Sequence, residues 1–276
     1  IIGVYKTPLV AVTPRCVFTN TTPVGAYRGA GRPEANYYMD RLVDTAAREM
    51  GIDQVVLRRR NHIAPGAIPY KAPNGAIYDS GDFTALFDQA LSLADWQGFA
   101  DRQRKSQARG RLRGRGIGHY LETTGVPSKE MGGIRFEADG TVTLTTGTLD
   151  YGQGHATPFA QVLSERLGIP FERINLVQGD SDRLIAGGGT GGSKSLMVSG
   201  TAIVEASDKV IAAGRQIAAS VLEAAMADIE FRAGNFAIVG TDRQITIMDL
   251  ARQLHAGLAL PAEGPDSLDV AHVSDG

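Results

Sequence analysis

Three stretches carry residue types able to do chemistry: Gly152-Gln153-Gly154-His155-Ala156-Thr157, Gly187-Gly188-Gly189-Thr190-Gly191-Gly192-Ser193-Lys194-Ser195, and Ala26-Tyr27-Arg28-Gly29-Ala30-Gly31-Arg32-Pro33-Glu34-Ala35. Each sets backbone amides without side-chain cover just ahead of an apolar helical pattern, which is how a chain seats an anionic ligand. The glycine run adds hydroxyls, one ammonium and a helix N-terminus, all favouring negative charge. It also falls one residue short of a P-loop, because Ser193 stands where G-x-x-x-x-G-K-[ST] requires glycine before Lys194. A plain surface loop is the alternative for this run, and a plain turn for Gly152-Gln153-Gly154. In the latter, the Gln153 carboxamide can both donate and accept. Arg28 and Arg32 offer forked donors to a carbonyl or phosphate, or pair structurally with Glu34 or Asp40. Together the three loops are expected to surround one phosphate-bearing cofactor.

Other chemistries find less support. His155, His62 and His119 have no second histidine or carboxylate at ligand spacing, so they read as surface or capping residues and no metal ligands are assigned. Gly29-Ala30-Gly31 begins like a dinucleotide fingerprint, but Glu34 occupies the third glycine position and no strand precedes it. No Ser-His-Asp set or paired-carboxylate signature is present.

The elements that must position these loops follow from periodicity. Residues 10–19 read as a strand, 33–50 as a helix with Ala35, Tyr38, Met39, Leu42, Ala46 and Met50 on its apolar stripe, and 53–61 as a helix capped by Asp53. Residues 65–74 read as a loop and 83–96 as a helix. The stretch 101–115 holds seven basic residues and no aromatics, so it reads as a solvated linker or helix surface and marks a boundary between 1–110 and 111–276. Beyond it, strands are expected at 116–122, 134–137 and 141–146, with Asp139-Gly140 as a hairpin turn. A helix stripe of Ala156, Phe159, Ala160, Leu163 and Leu167 ends at Gly168, a strand follows at 174–177, and a long helix repeats Ile203, Val210, Ile217 at sevens. This order predicts an α+β fold built as a two-layer sandwich. Residues 261–276 read as a polar tail, and the segment opening Ile1-Ile2-Gly3-Val4-Tyr5 as already part of a strand, so the chain is expected to be excised from a longer polypeptide.

Composition sets outer limits. A net charge of −2 over 276 residues gives no cationic surplus for nucleic acid or anionic lipid. One cysteine, Cys16, can form neither an internal disulfide nor an iron–sulfur ligand set. No membrane span or secretory signal is read, which makes the cytoplasm the expected compartment.

Gly25 through Ala35, Gly152 through Thr157 and Gly189 through Ser195, in that order and spacing, resemble the molybdenum-cofactor-binding subunit of the xanthine dehydrogenase, aldehyde oxidase and carbon monoxide dehydrogenase family, over about residues 3–251. The resemblance implies a molybdenum hydroxylase acting on an aldehyde or N-heterocycle with water as oxygen source. It implies molybdopterin, in bacteria usually the cytosine dinucleotide, with iron–sulfur clusters and FAD on partner subunits of an oligomeric complex. Matched motif to motif, Arg28 and Gly29 would lie on the active-site loop and Gln153 would hydrogen-bond the ligands or pterin at the metal. Gly152, Gly154, Thr190, Gly191, Gly192, Ser193, Lys194 and Ser195 would grip the pterin and its phosphates. Copper-containing carbon monoxide dehydrogenases carry a cysteine immediately after the loop arginine; Gly29 stands there, which argues against carbon monoxide oxidation. The family's catalytic glutamate and other cofactor segments fall outside this chain, implying a central fragment, inactive alone and a poor binder of cofactor by itself. The two parts would then be pieces of a first and a second cofactor-binding subdomain.

Two other classes remain open at this point. A P-loop-like nucleotide hydrolase would need an acidic residue ending a buried strand, for which Asp249 after Ile245-Thr246-Ile247-Met248 is the candidate. A non-catalytic assembly module would use the glycine loops only to shape a surface.

Overall fold

In a computed structural model, residues 3–23, 25, 27–122, 125 and 128–275 are described. The chain falls into two compact units, Ile1–Glu122 and Thr123–Gly276, so the basic stretch belongs to the first unit.

The first unit is mainly helical. Helix α1 (Arg32–Met50) starts with Pro33 in its first turn and stops at Gly51, and α2 (Gln54–Asn61) is capped by the Asp53 carboxylate, which accepts from the Val55 and Val56 amides. A two-residue hairpin, β1 (Tyr70–Lys71) and β2 (Ile77–Tyr78), lies where a plain loop was expected. Helices α3 (Phe83–Leu93) and α4 (Phe99–Gln107) follow, and α4 is the helical half of the basic stretch. Val4, Tyr5, Ile63, Tyr78 and Phe83 form one small core; Val55, Phe87 and Trp96 form another.

Three expectations fail here, for one reason: alternation makes a strand only where a ladder partner exists. Residues 10–19 are exposed and unpaired, and 116–122 is extended without a ladder. Of the opening segment, Tyr5 alone makes a bridge, to His62, while Ile1 and Ile2 lie outside the described residues. The stripe read for α1 is also corrected. Its buried residues are Asp40 and Ala47, whereas Tyr38, Leu42 and Met50 are exposed, because this face turns toward the buried Arg58.

The second unit is the expected α+β sandwich. Strands β3 (Glu130–Phe136) and β4 (Val142–Thr146) form the hairpin, turned by Asp139, whose carboxylate accepts from the Thr141 amide and hydroxyl. β5 (Ile174–Val177) pairs parallel to β4. Helix α5 (Ala156–Leu167) makes the crossover and the 27-residue α6 (Ser195–Val221) lies beside it. Ile134, Phe136, Val142 and Leu144 of the sheet meet Phe159, Leu163 and Leu167 of α5 and Ile203, Val210 and Ile217 of α6, all at most 3% exposed. Burying each such side chain stabilises by about 1.5–3 kcal/mol.

The polar tail is corrected: β9 (Val270–Ser274) returns antiparallel to β3, giving the order β5-β4-β3-β9. A second antiparallel sheet of β6 (Ile229–Arg232), β7 (Asn235–Ile238) and β8 (Gln244–Thr246), with α7 (Ile247–His255), adds Phe236, Ile245, Ile247 and Leu250 to the same core.

Candidate functional site

Two of the three loops meet inside the second unit. The connection after β4 carries Gln153, the run before α6 carries Thr190 to Ser195, and their bases are laced together. The Gly189 amide donates to the Gly147 carbonyl (3.3 Å) and the Leu149 amide to Thr190 Oγ1 (3.1 Å). Gly147 and Gly187 touch so closely that a Cβ on Gly187 would lie 2.5 Å from the Gly147 Cα. Beneath them Glu130, 1% exposed, accepts from the Gly147 amide (2.6 Å) and the Met131 amide (2.9 Å). Burial pushes its carboxyl above the ordinary value, against the pull of those amides and of Lys194.

The glycine run has donors to spare. Among the described residues, the amides of Gly191, Gly192 and Ser193 meet no protein acceptor, and α6 has neither a capping side chain nor an acidic residue in its first turn. Space above the run is open: a Cβ added at Gly189, Gly191 or Gly192 would meet nothing within 4 Å. Lys194, by contrast, turns inward. Its ammonium reaches Ser128 Oγ (3.2 Å) and helps balance Glu130. Ser195 Oγ donates to Thr190 Oγ1 (3.2 Å).

The Gln153 loop differs from its reading in the sequence. Its amides are not unencumbered: the Asp150 carboxylate accepts from Gly152 (2.6 Å), Gly154 (3.2 Å) and His155 (2.7 Å). Those bonds, the His155 one first, hold the Asp150 carboxyl below its ordinary value. Gln153 Oε1 accepts from the Tyr151 amide, and the side chain is exposed, with no protein partner for Nε2 among the described residues. An Asp two residues before a glycine is an Asx-turn signal, so this cap was readable in the sequence.

Arg28 and Gly29 belong to the first unit. Arg28 is exposed and its side chain has no hydrogen bond or ion pair among the described residues; Ala26 and Val24 of this loop lie outside them. Gly29 sits at φ 86 against the Pro33 ring, where a Cβ would come within 2.5 Å of Cδ. Arg32 pairs with Glu122 (2.5 Å), a partner the sequence reading did not name.

The histidines are not surface residues. His155 is 6% exposed and stacks on Phe159. In the first unit, the Tyr5 hydroxyl donates to Asp40 Oδ1 (2.6 Å) and lies 3.1 Å from His119 Nδ1, and the His119 ring packs 4.9 Å from that of His62. Burial tends to raise the Asp40 carboxyl, but hydrogen bonds from His119 and Tyr5 outweigh it and leave it lowered. His62, 4% exposed, is pushed down to about 4, chiefly by burial and then by His119. It therefore stays neutral when folded while the unfolded chain takes up a proton below its ordinary value of 6.5. The first unit should lose about 2 kcal/mol between neutrality and roughly pH 5 on this account. Unfolding of wild type and His62→Gln across that range checks it: equal slopes would show that His62 titrates normally.

The P-loop alternative is overturned by placement. β5 ends at Val177 and α6 begins at Ser195, so the run does not leave a strand directly, and Asp249 sits in the first turn of α7, bonded to Arg252 (2.6 Å).

Two family models, each described as a molybdopterin cofactor-binding domain, match residues 1–62 and 89–271. The chain belongs to the molybdopterin cofactor-binding family. Among relatives, the 6-hydroxypseudooxynicotine dehydrogenase complex subunit gamma of Paenarthrobacter nicotinovorans is 34% identical over 91% of this chain and 32% of that protein. The carbon monoxide dehydrogenase large chain of Hydrogenophaga pseudoflava is 33% identical over 99% and 36%. The solved quinoline 2-oxidoreductase of Pseudomonas putida 86 superposes with a TM-score of 0.82 at 27% identity, over 99% of this chain and 36% of that one. The chain thus spans about a third of the length of these relatives. Among the described residues, the amides without a protein acceptor, the uncapped α6 and the exposed Gln153 carboxamide fit a polar, anionic pterin. Among the described residues no helix is long and apolar enough to cross a membrane.

Proposed function

We propose that this chain supplies the cofactor-gripping part of a cytoplasmic molybdenum hydroxylase large subunit acting on an aldehyde or an N-heterocycle. The carrying observation, among the described residues, is the trio of amides without a protein acceptor at Gly191, Gly192 and Ser193, just ahead of the uncapped α6, tied to a loop that presents the exposed Gln153 carboxamide. The amides and the positive end of α6 hold the cofactor's phosphates, in the cytosine dinucleotide form. Gln153 donates at the metal end of the pterin and orients it, while Gly152 and Gly154 leave room for close approach. Ser193 Oγ adds a donor, and Thr190 and Ser195 shape the run by bonding each other; Lys194 acts from below through Glu130. Arg28 and Gly29 keep the active-site-loop role that the resemblance implies, and Gly29 in place of a cysteine favours hydroxylation over carbon monoxide oxidation.

Bound molybdopterin would supply the redox chemistry, a two-electron oxidation in which oxygen from water replaces a C–H hydrogen of the substrate, with two protons released and the electrons passed to iron–sulfur and flavin partner subunits. The catalytic glutamate is taken to lie outside this chain, so the chain alone is expected to be inactive.

The test is to produce the complete polypeptide with cofactor-maturation factors, measure bound molybdenum, and assay quinoline, nicotine and benzaldehyde with an artificial electron acceptor. Absence of molybdenum would favour an assembly module. In the active protein, Gln153→Ala is expected to lower turnover about 100-fold with the unfolding midpoint unchanged. Full turnover in that variant would remove Gln153 from the site.

A further inference from the structure

We infer that Gln178 is a positioning residue for the Gln153 loop, an inference that rests on the function proposed above. The loop 149–154 stands on two feet, Thr148 and His155, 0% and 6% exposed, and one carboxamide touches both. Gln178 Nε2 lies 2.9 Å from Thr148 Oγ1, 3.3 Å from His155 Nδ1 and 2.8 Å from Thr146 Oγ1. Its two N–H bonds serve three acceptors. From Thr148 the network continues to Ser199 Oγ (3.2 Å) in α6, the helix whose N-terminus carries the glycine run.

Gln178 immediately follows β5, whose ladder to β4 runs from Val142 paired with Ile174 to Thr145 paired with Val177. Sheet, loop and helix are therefore referenced to one half-buried amide group. The Asp150 cap ties the loop to itself, through its own amides. Gln178 instead ties the loop to the sheet and, through Thr148 and Ser199, to α6. A hydrogen-bonded group held under a short loop restricts the loop's local opening, and with it the direction in which Gln153 Nε2 points.

The test uses Gln178→Leu, which keeps the volume while Thr146 and Thr148, already 3.2 Å apart, can still bond each other. The control is Ser207→Ala, which removes another fully buried hydroxyl, bonded to the Ile203 carbonyl in the body of α6. Hydrogen exchange on the full polypeptide should show the amides of Leu149, Gly152, Gly154 and His155 opening roughly tenfold faster in Gln178→Leu, with no such change in Ser207→Ala. Equal exchange of these amides in the two variants overturns the inference. In the molybdenum-loaded enzyme, turnover per bound molybdenum should also fall about tenfold. Turnover that falls only in step with molybdenum content overturns the positioning role. A polypeptide that holds no molybdenum defeats the proposed function but leaves the exchange comparison to decide this inference.

Discussion

Replacing Gly132 by valine is expected to destabilise the second unit by about 3 kcal/mol. Gly132 lies on β3, between β4 and β9, on the face that α6 covers. A Cβ there would stand 2.3 Å from the Ala202 carbonyl oxygen, 2.6 Å from its carbon and 3.1 Å from the Ile203 nitrogen. All three are backbone atoms of a 27-residue helix, so no side chain can rotate away. Relief requires lifting α6 off the sheet, which opens the contacts of Ile203 and Val210, both fully buried. Alanine already clashes, and valine adds two methyl groups to the overlap. Urea unfolding followed by far-ultraviolet circular dichroism checks this, and an unchanged midpoint would mean that helix and strand are not in close contact at this point.

Arg58→Met should cost the first unit about 3–5 kcal/mol, because it breaks a buried ion pair by removing one partner. Arg58 is 0% exposed; Nη1 donates to Asp44 (2.8 Å), Nη2 lies 3.4 Å from Asp40 Oδ1, and Nε has no hydrogen-bond partner among the described residues. Asp40, 5% exposed, would keep the Tyr5 hydroxyl and the His119 amide but lose its cation. Adding Asp40→Asn to the methionine variant should restore part of the loss, since the stranded charge is then gone. Trp96, the sole tryptophan, packs with Val55 of α2 and reports this unit by fluorescence. A single variant as stable as wild type would show that the guanidinium contributes nothing net.

Much of this molecule could be read locally. Asp53 before an apolar turn, Pro33 opening α1, Gly168 closing α5 and Asp139-Gly140 between alternating runs each carry their instruction within a few residues, because caps and turns are satisfied by near neighbours. The heptad spacing of Ile203, Val210 and Ile217 likewise named the buried stripe of α6. The motif residues from Arg28 to Ser195 supported a family resemblance, which the family matches bear out. The alternating residues 10–19 misled for the opposite reason, since a ladder needs a partner that no local pattern reveals. β9 escaped notice in a polar tail because its strand character comes from pairing with β3, more than a hundred residues earlier.

What the sequence determined by itself was therefore α1, α2, α3, α5 and α6, the central hairpin and the donor-rich glycine run, all of which depend on contacts a few residues apart, whereas α7 was not read. Only the tertiary structure decided that Asp150 occupies the amides of its own loop, that Lys194 reaches Ser128, and that Gln178 grips both feet of the Gln153 loop. Glu130 and Gln178 act across long sequence separations, where burial and hydrogen-bond geometry, rather than residue type, choose the partner.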